Sequence, residues 1–139
     1  MESLSAFVMD LELWGGGASQ ILGIALVGSH ARGTARPDSD IDVVVLVDEP
    51  AHYLSAAGWV ERFGTATHIS DEDWGLVQSR RVRYADGKEV EFGFTAPSWA
   101  HTNPVDPATA AIVAKGLKIL HDPNGMLRAL LEAVPQTSV

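Results

Sequence analysis

The chain contains no cysteine, which excludes disulfides, thiol nucleophiles and cysteine-ligated zinc. Positive charge is scarce: 10 Lys and Arg stand against 18 Asp and Glu, for a net charge of −8. A broad basic surface for extended nucleic acid is therefore not expected, because neutralising phosphates takes clustered Lys and Arg. No apolar run approaches the roughly 20 residues of a membrane span. The N-terminal MESLSAFVMD lacks the basic start of a signal peptide. These absences give an expectation of a cytoplasmic protein without membrane contact. A length of 139 residues with 46% hydrophobic content is enough for one domain with a buried core.

The pattern along the chain predicts alternating helices and strands. Leu4, Phe7, Val8, Leu11 and Trp14 recur at helical spacing, with Ser3 as N-cap and Gly15-Gly16-Gly17 as the stop. Ile21–Val27 is a nearly continuous apolar run and reads as a buried strand. Residues 29–36 read as a short helix closed by Pro37, with a turn at Asp38-Ser39. Ile41–Val47, rich in β-branched residues, is the clearest strand. In a variable middle, Trp59–Phe63 and Thr67–Ser70 are candidate short strands. Arg80–Tyr84 and Lys88–Phe94, joined by Asp86-Gly87, read as a β-hairpin. After a proline-containing loop from Pro97, a helix over 107–117 with Asp106 as N-cap, a strand over 118–121 and a helix over 123–134 capped by Asp122 are expected. Residues 135–139 read as a frayed tail.

The chemistry concentrates between Gly28 and Val45, GSHARGTARPDSDIDVVV. Asp40 and Asp42 are two apart at the start of a strand, so both carboxylates point to one face, roughly 6–7 Å apart. Like charges so placed repel each other, and a divalent cation would relieve that repulsion. Upstream, Gly28 ends a strand with no side chain to obstruct a phosphate. Ser29 opens a helix whose first N–H groups are free to meet one. A two-metal site for phosphoryl or nucleotidyl transfer also needs a third carboxylate. Glu91, flanked by apolar residues in Lys88-Glu89-Val90-Glu91-Phe92, is preferred because a carboxylate there is costly unless paired or metal-bound. Glu89, on the same face, is the reserve.

Each of these residues also has a plainer role. Alone, Asp40 fits a turn and Asp42 a solvent-facing strand position; joined to Gly28-Ser29 at this spacing, the metal role is favoured. Ser29 fits a helix cap. Arg32 fits either a phosphate contact or an ion pair with Asp38 or Asp40. Arg80, Arg81 and Arg83 read as a charged, solvated hairpin edge, with Arg81 alternating away from the other two. The five histidines have no metal-ligand spacing, although His30 lies close to the Gly-Ser step. Trp59, Trp74 and Trp99 are assigned to packing, with base stacking as the alternative.

Gly28-Ser29-x-Ala31-Arg32-Gly33, followed by Ser39-Asp40-x-Asp42 and an apolar strand, resembles the signature of the DNA polymerase beta-like nucleotidyltransferase superfamily. The small size is similar to its minimal nucleotidyltransferase branch. The resemblance implies an α+β fold, a mixed β-sheet flanked by helices. It implies Mg²⁺ (two ions, with Mn²⁺ able to substitute) held by Asp40, Asp42 and Glu91. It also implies a nucleoside triphosphate, with ATP the first choice, contacted by Gly28, Ser29, Ser39 and Arg32. Transfer would pass a nucleoside monophosphate to an acceptor hydroxyl. Glu at the third acid departs from the commoner Asp of the family. The family's longer members take their acceptors on added segments, so the acceptor is expected from elsewhere. A HEPN-type protein partner, as for antitoxins of this branch, is one alternative, and a nucleotide-binding pseudoenzyme is another.

Overall fold

The computed structural model describes residues 4–36 and 39–135. Ser3, Pro37, Asp38 and residues 136–139, with the cap, helix stop, turn and tail expected there, lie outside the described residues. Six strands form one mixed sheet: β1 (Ile21–Val27), β2 (Ile41–Val47), β3 (Ala66–Asp73), β4 (Gln78–Tyr84), β5 (Glu89–Thr95) and β6 (Lys118–His121). Their order across the sheet is β3-β4-β5-β2-β1-β6. β2 and β5 are parallel; the other neighbours are antiparallel. This is the α+β architecture that the resemblance implies.

β1 and β2 are nearly continuous apolar runs because they lie inside the sheet with both faces covered. On one face, α1 (Leu4–Gly16) buries Phe7, Leu11 and Trp14 against Val43, Val45, Phe92 and Phe94. Trp59 closes this layer edge-on to Phe92, with ring centroids 4.9 Å apart. On the other face, Val44 and Leu46 pack against Trp99, α4 (Pro107–Ala114) and α5 (Met126–Ala133). Two short helices, α2 (Ser29–Arg32) and α3 (Pro50–Ser55), flank β2 in sequence.

Several expected boundaries move, each for a local reason. The helix over 29–36 is only Ser29–Arg32: Gly33 turns left-handed, with φ 75°, and the Gly33 and Thr34 N–H groups both return to the Ser29 carbonyl. Trp59–Phe63 is not a strand but part of a 3₁₀ turn, Gly58–Phe63. That turn puts Val60 and Phe63, three apart, on one buried face. The strand expected over Thr67–Ser70 is the middle of β3. α4 stops at Ala114 because Lys115 and Gly116 donate back to Ile112 and Val113 and tighten the last turn. α5 begins at Met126 rather than residue 123. Asp122 still caps it, its carboxylate accepting from Leu127 N at 3.0 Å and Arg128 N at 2.9 Å across the intervening turn.

The arginine-rich hairpin departs furthest from expectation. β4 lies inside the sheet between β3 and β5, so it is not an edge. β3, carrying Asp71, Glu72 and Asp73, forms the charged edge instead. Arg80 is 7% exposed. It donates to the Leu54 and Ala56 carbonyls and to Asp71, and its guanidinium lies over the Trp59 ring. No helix among the described residues is long and apolar enough to cross a membrane.

Candidate functional site

The register of the sheet assembles the acids. Asp42 on β2 stands directly opposite Glu91 on the parallel neighbour β5, and Glu91 stands opposite Arg81 on β4. Strand alternation puts Val43 and Val45, with Val90, Phe92 and Phe94, into the aromatic layer below. Asp42 and Glu91 therefore rise from the other face, with Asp40 continuing the Asp42 row and Glu89 the Glu91 row.

A cavity of about 470 Å³ opens on this face. Gly28, Arg32, Asp42 and Glu91 line it, together with Trp74 and Lys115. Gly28, Arg32, Asp42 and Glu91 thus line one cavity. Ser29, Ser39, Asp40 and Glu89 are not among the lining residues. Ser39 braces the loop before β2: its hydroxyl accepts from Arg36 N at 2.8 Å, and its carbonyl faces His30 Nε2 at 3.4 Å. Arg32 has no ion pair among the described residues; Arg81 pairs with Asp40 instead. Trp59 and Trp99 are packing residues, as expected. Trp74, at 61% exposure, is the tryptophan left open to a ligand.

Gly28 is the tightest element of the site. Its backbone lies at φ 71°, ψ −153°, a region essentially restricted to glycine. A Cβ there would sit 2.5 Å from Asp42 Oδ2. The turn that leads from β1 to α2 is therefore pressed against the carboxylate on β2.

The acids perturb one another. Burial, followed by the charge of neighbouring Glu91, raises the Asp42 pKa to about 6. Asp40 is raised as well, by burial and then by its hydrogen bond with Glu89. Glu89 is lowered, first by that same bond. The cation among them is one the sequence reading missed. Arg81 Nη1 donates to Asp40 Oδ2 at 2.8 Å and to Glu89 Oε2 at 3.4 Å, and Nη2 donates to Glu91 Oε1 at 3.3 Å. Burial works against the charged guanidinium, but these carboxylates outweigh it and raise its pKa. Alternation placed Arg81 apart from Arg80 and Arg83; what would have located it is the pairing of β4 with β5.

The donor set suits a hard divalent cation: carboxylate oxygens only, with more negative charge than one guanidinium cancels. As the side chains stand, no three acids or imidazoles among the described residues converge closely enough to hold an ion.

A mixed sheet carrying a Gly-Ser turn ahead of carboxylates on paired parallel strands defines a domain of the DNA polymerase beta-like nucleotidyltransferase superfamily. The chain belongs to the nucleotidyltransferase domain family, matching it over residues 11–92. Its fold is similar to that of an aminoglycoside 6-adenyltransferase from Bacillus subtilis, with TM-score 0.56 and 15% identity over 74% of this chain and 38% of that one. It is also similar to a CCA-adding enzyme in its apo form, with TM-score 0.51 and 17% identity over 93% of this chain and 31% of that one. At such identities the likeness is one of fold. The chain spans only about a third of the length of these structures, 38% and 31%. No curated protein matches the sequence.

Proposed function

We propose that this domain transfers a nucleoside monophosphate from a nucleoside triphosphate, ATP being the first to test, to an acceptor hydroxyl, with release of pyrophosphate. The observation that carries this reading is the pairing of Asp42 with Glu91 at the wall of the cavity that Gly28 and Arg32 also line. The family match agrees with it.

In this reading the Gly28–Ser29 backbone and the cationic side chains of Arg32 and Lys115 receive the triphosphate. Asp40, Asp42 and Glu91 would hold Mg²⁺, or Mn²⁺ in its place, with Glu89 as the alternative third acid. The ions would neutralise phosphate charge in the crowded transition state. The acceptor oxygen forms a bond to the α-phosphorus while the bond to the bridging oxygen breaks, and pyrophosphate leaves with that electron pair. The acceptor proton passes to a carboxylate of the Asp42–Glu91 pair. Both carboxylates are open to the cavity. The acceptor itself is assigned to a second molecule, a HEPN-type protein in the minimal nucleotidyltransferase reading.

One observation favours a second reading, that of a nucleotide-binding pseudoenzyme: Arg81 ties Asp40, Glu89 and Glu91 together. A thermal-shift screen of nucleotides with Mg²⁺ or Mn²⁺ separates the readings when followed by an assay for pyrophosphate release. A ligand at 100 times its Kd stabilises by about 2.7 kcal/mol, a visible shift. Binding with turnover supports transfer. Binding without turnover on any acceptor supports the pseudoenzyme. No nucleotide binding removes both.

A further inference from the structure

Two neighbouring arginines on β4 are anchored in opposite ways. Arg80 donates to two backbone carbonyls, Leu54 and Ala56, and stacks over Trp59, so its removal would strand buried polar groups. Among the described residues Arg81 has only carboxylate partners: Asp40, Glu89 and Glu91, with Glu72 Oε1 at 3.8 Å from its Nε. Its side chain is 30% exposed. The Arg81 guanidinium can therefore leave without stranding a backbone group. Its nitrogens span acids from the loop before β2, from β3 and from β5, the oxygens among which a divalent cation would have to sit. A guanidinium and a hard cation compete for the same lone pairs and cannot both have them.

We propose that Arg81 is a positioning residue that sets the divalent-cation affinity of the site: its guanidinium occupies the acids' oxygens while the site is cation-free, and it withdraws when a cation takes them. The inference rests on the cation role given to these acids under the proposed function. With these oxygens held by the guanidinium, no three acids among the described residues converge on one point.

The test is a calorimetric titration of Mn²⁺, without nucleotide, into the protein and into Arg81→Met, which keeps an unbranched apolar chain but loses the charge. The variant is expected to bind Mn²⁺ about tenfold more tightly, a typical coupling between competing ligands. Its cation-free melting temperature should fall below that of the parent and recover with Mn²⁺. Arg81→Lys, a point charge without the fork, should bind with intermediate affinity. Equal or weaker binding by a folded Arg81→Met overturns the proposal alone. Absence of binding to either protein overturns it together with the cation reading. Should Arg81→Met fail to fold, the unaltered protein decides. The Arg81 Nε–H resonance should move towards that of a free arginine as Mg²⁺ is added. A resonance unchanged at saturation would refute the proposal.

Discussion

Gly28 and Asp42 are in such close approach that a Cβ on the glycine would fall 2.5 Å from the Asp42 Oδ2 oxygen. The backbone at Gly28, φ 71° and ψ −153°, also rejects a side chain on conformational grounds, at a cost of about 1–3 kcal/mol. Gly28→Ala should therefore lower stability by at least that range in denaturant unfolding. It should also push the Asp42 carboxylate out of place, so that any nucleotide affinity drops in the fraction that remains folded. Unchanged stability would mean that the turn relaxes and does not constrain Asp42.

Asp42 itself should destabilise the protein when ionised. Its pKa is raised in the fold to about 6, by burial first and then by Glu91, whereas in the unfolded chain it lies near 4. The folded state holds this proton more tightly, so the contribution of Asp42 to stability is greatest below about pH 4, falls as pH rises towards 6, and stays lower above it. Melting temperatures recorded across that window should show this decline in the parent and a flatter profile in Asp42→Asn. Above pH 6 the variant should be the more stable of the two. An identical pH profile in both would remove the assigned shift. The same titration predicts that cation affinity rises through pH 6, because binding needs the carboxylate.

Arg80 and Arg83, both on β4, should separate cleanly on mutation. Arg80→Met leaves the Leu54 and Ala56 carbonyls and Asp71 without their donor, and a loss of about 3 kcal/mol or more is expected. Arg83 is an exposed partner of Glu89, its side chain 63% accessible, and Arg83→Ala should change stability by less than about 0.5 kcal/mol. Chemical denaturation of the two variants checks the ranking. Equal effects would contradict it.

The contrast between these arginines marks how far the sequence could be read. Local patterns carried the strands: ILGIALV and IDVVVLV are apolar throughout because both are interior strands. Asp86-Gly87 marked its hairpin, and Asp106 capped its helix, its carboxylate accepting from Ala108 and Thr109 N–H groups. Gly28, Asp42 and Glu91 could each be singled out because a Gly-Ser turn and strand alternation are also local signals. What depended on strand order was illegible. Nothing in the hairpin sequence says that β3 returns to cover β4, and so Arg80, Arg81 and Arg83 looked like an edge. Parallel pairing of β2 with β5 sets Asp42 against Glu91, and β4 then brings Arg81 to them; that is a property of the assembled sheet. Trp59–Phe63 misled for a related reason, since an apolar pair three apart fits a 3₁₀ turn as readily as part of a strand.

The account stands or falls on whether the Asp42–Glu91 face beside Gly28 binds a nucleotide through a divalent cation. Calorimetric titration of ATP into the protein, with Mg²⁺ and with chelator, and into Asp42→Asn with Mg²⁺, measures this directly. The account predicts one Mg²⁺-dependent site in the parent and at least about a tenfold loss of affinity, 1.4 kcal/mol, in a fully folded Asp42→Asn. ATP binding of equal affinity in the variant, or binding indifferent to chelator, would contradict it.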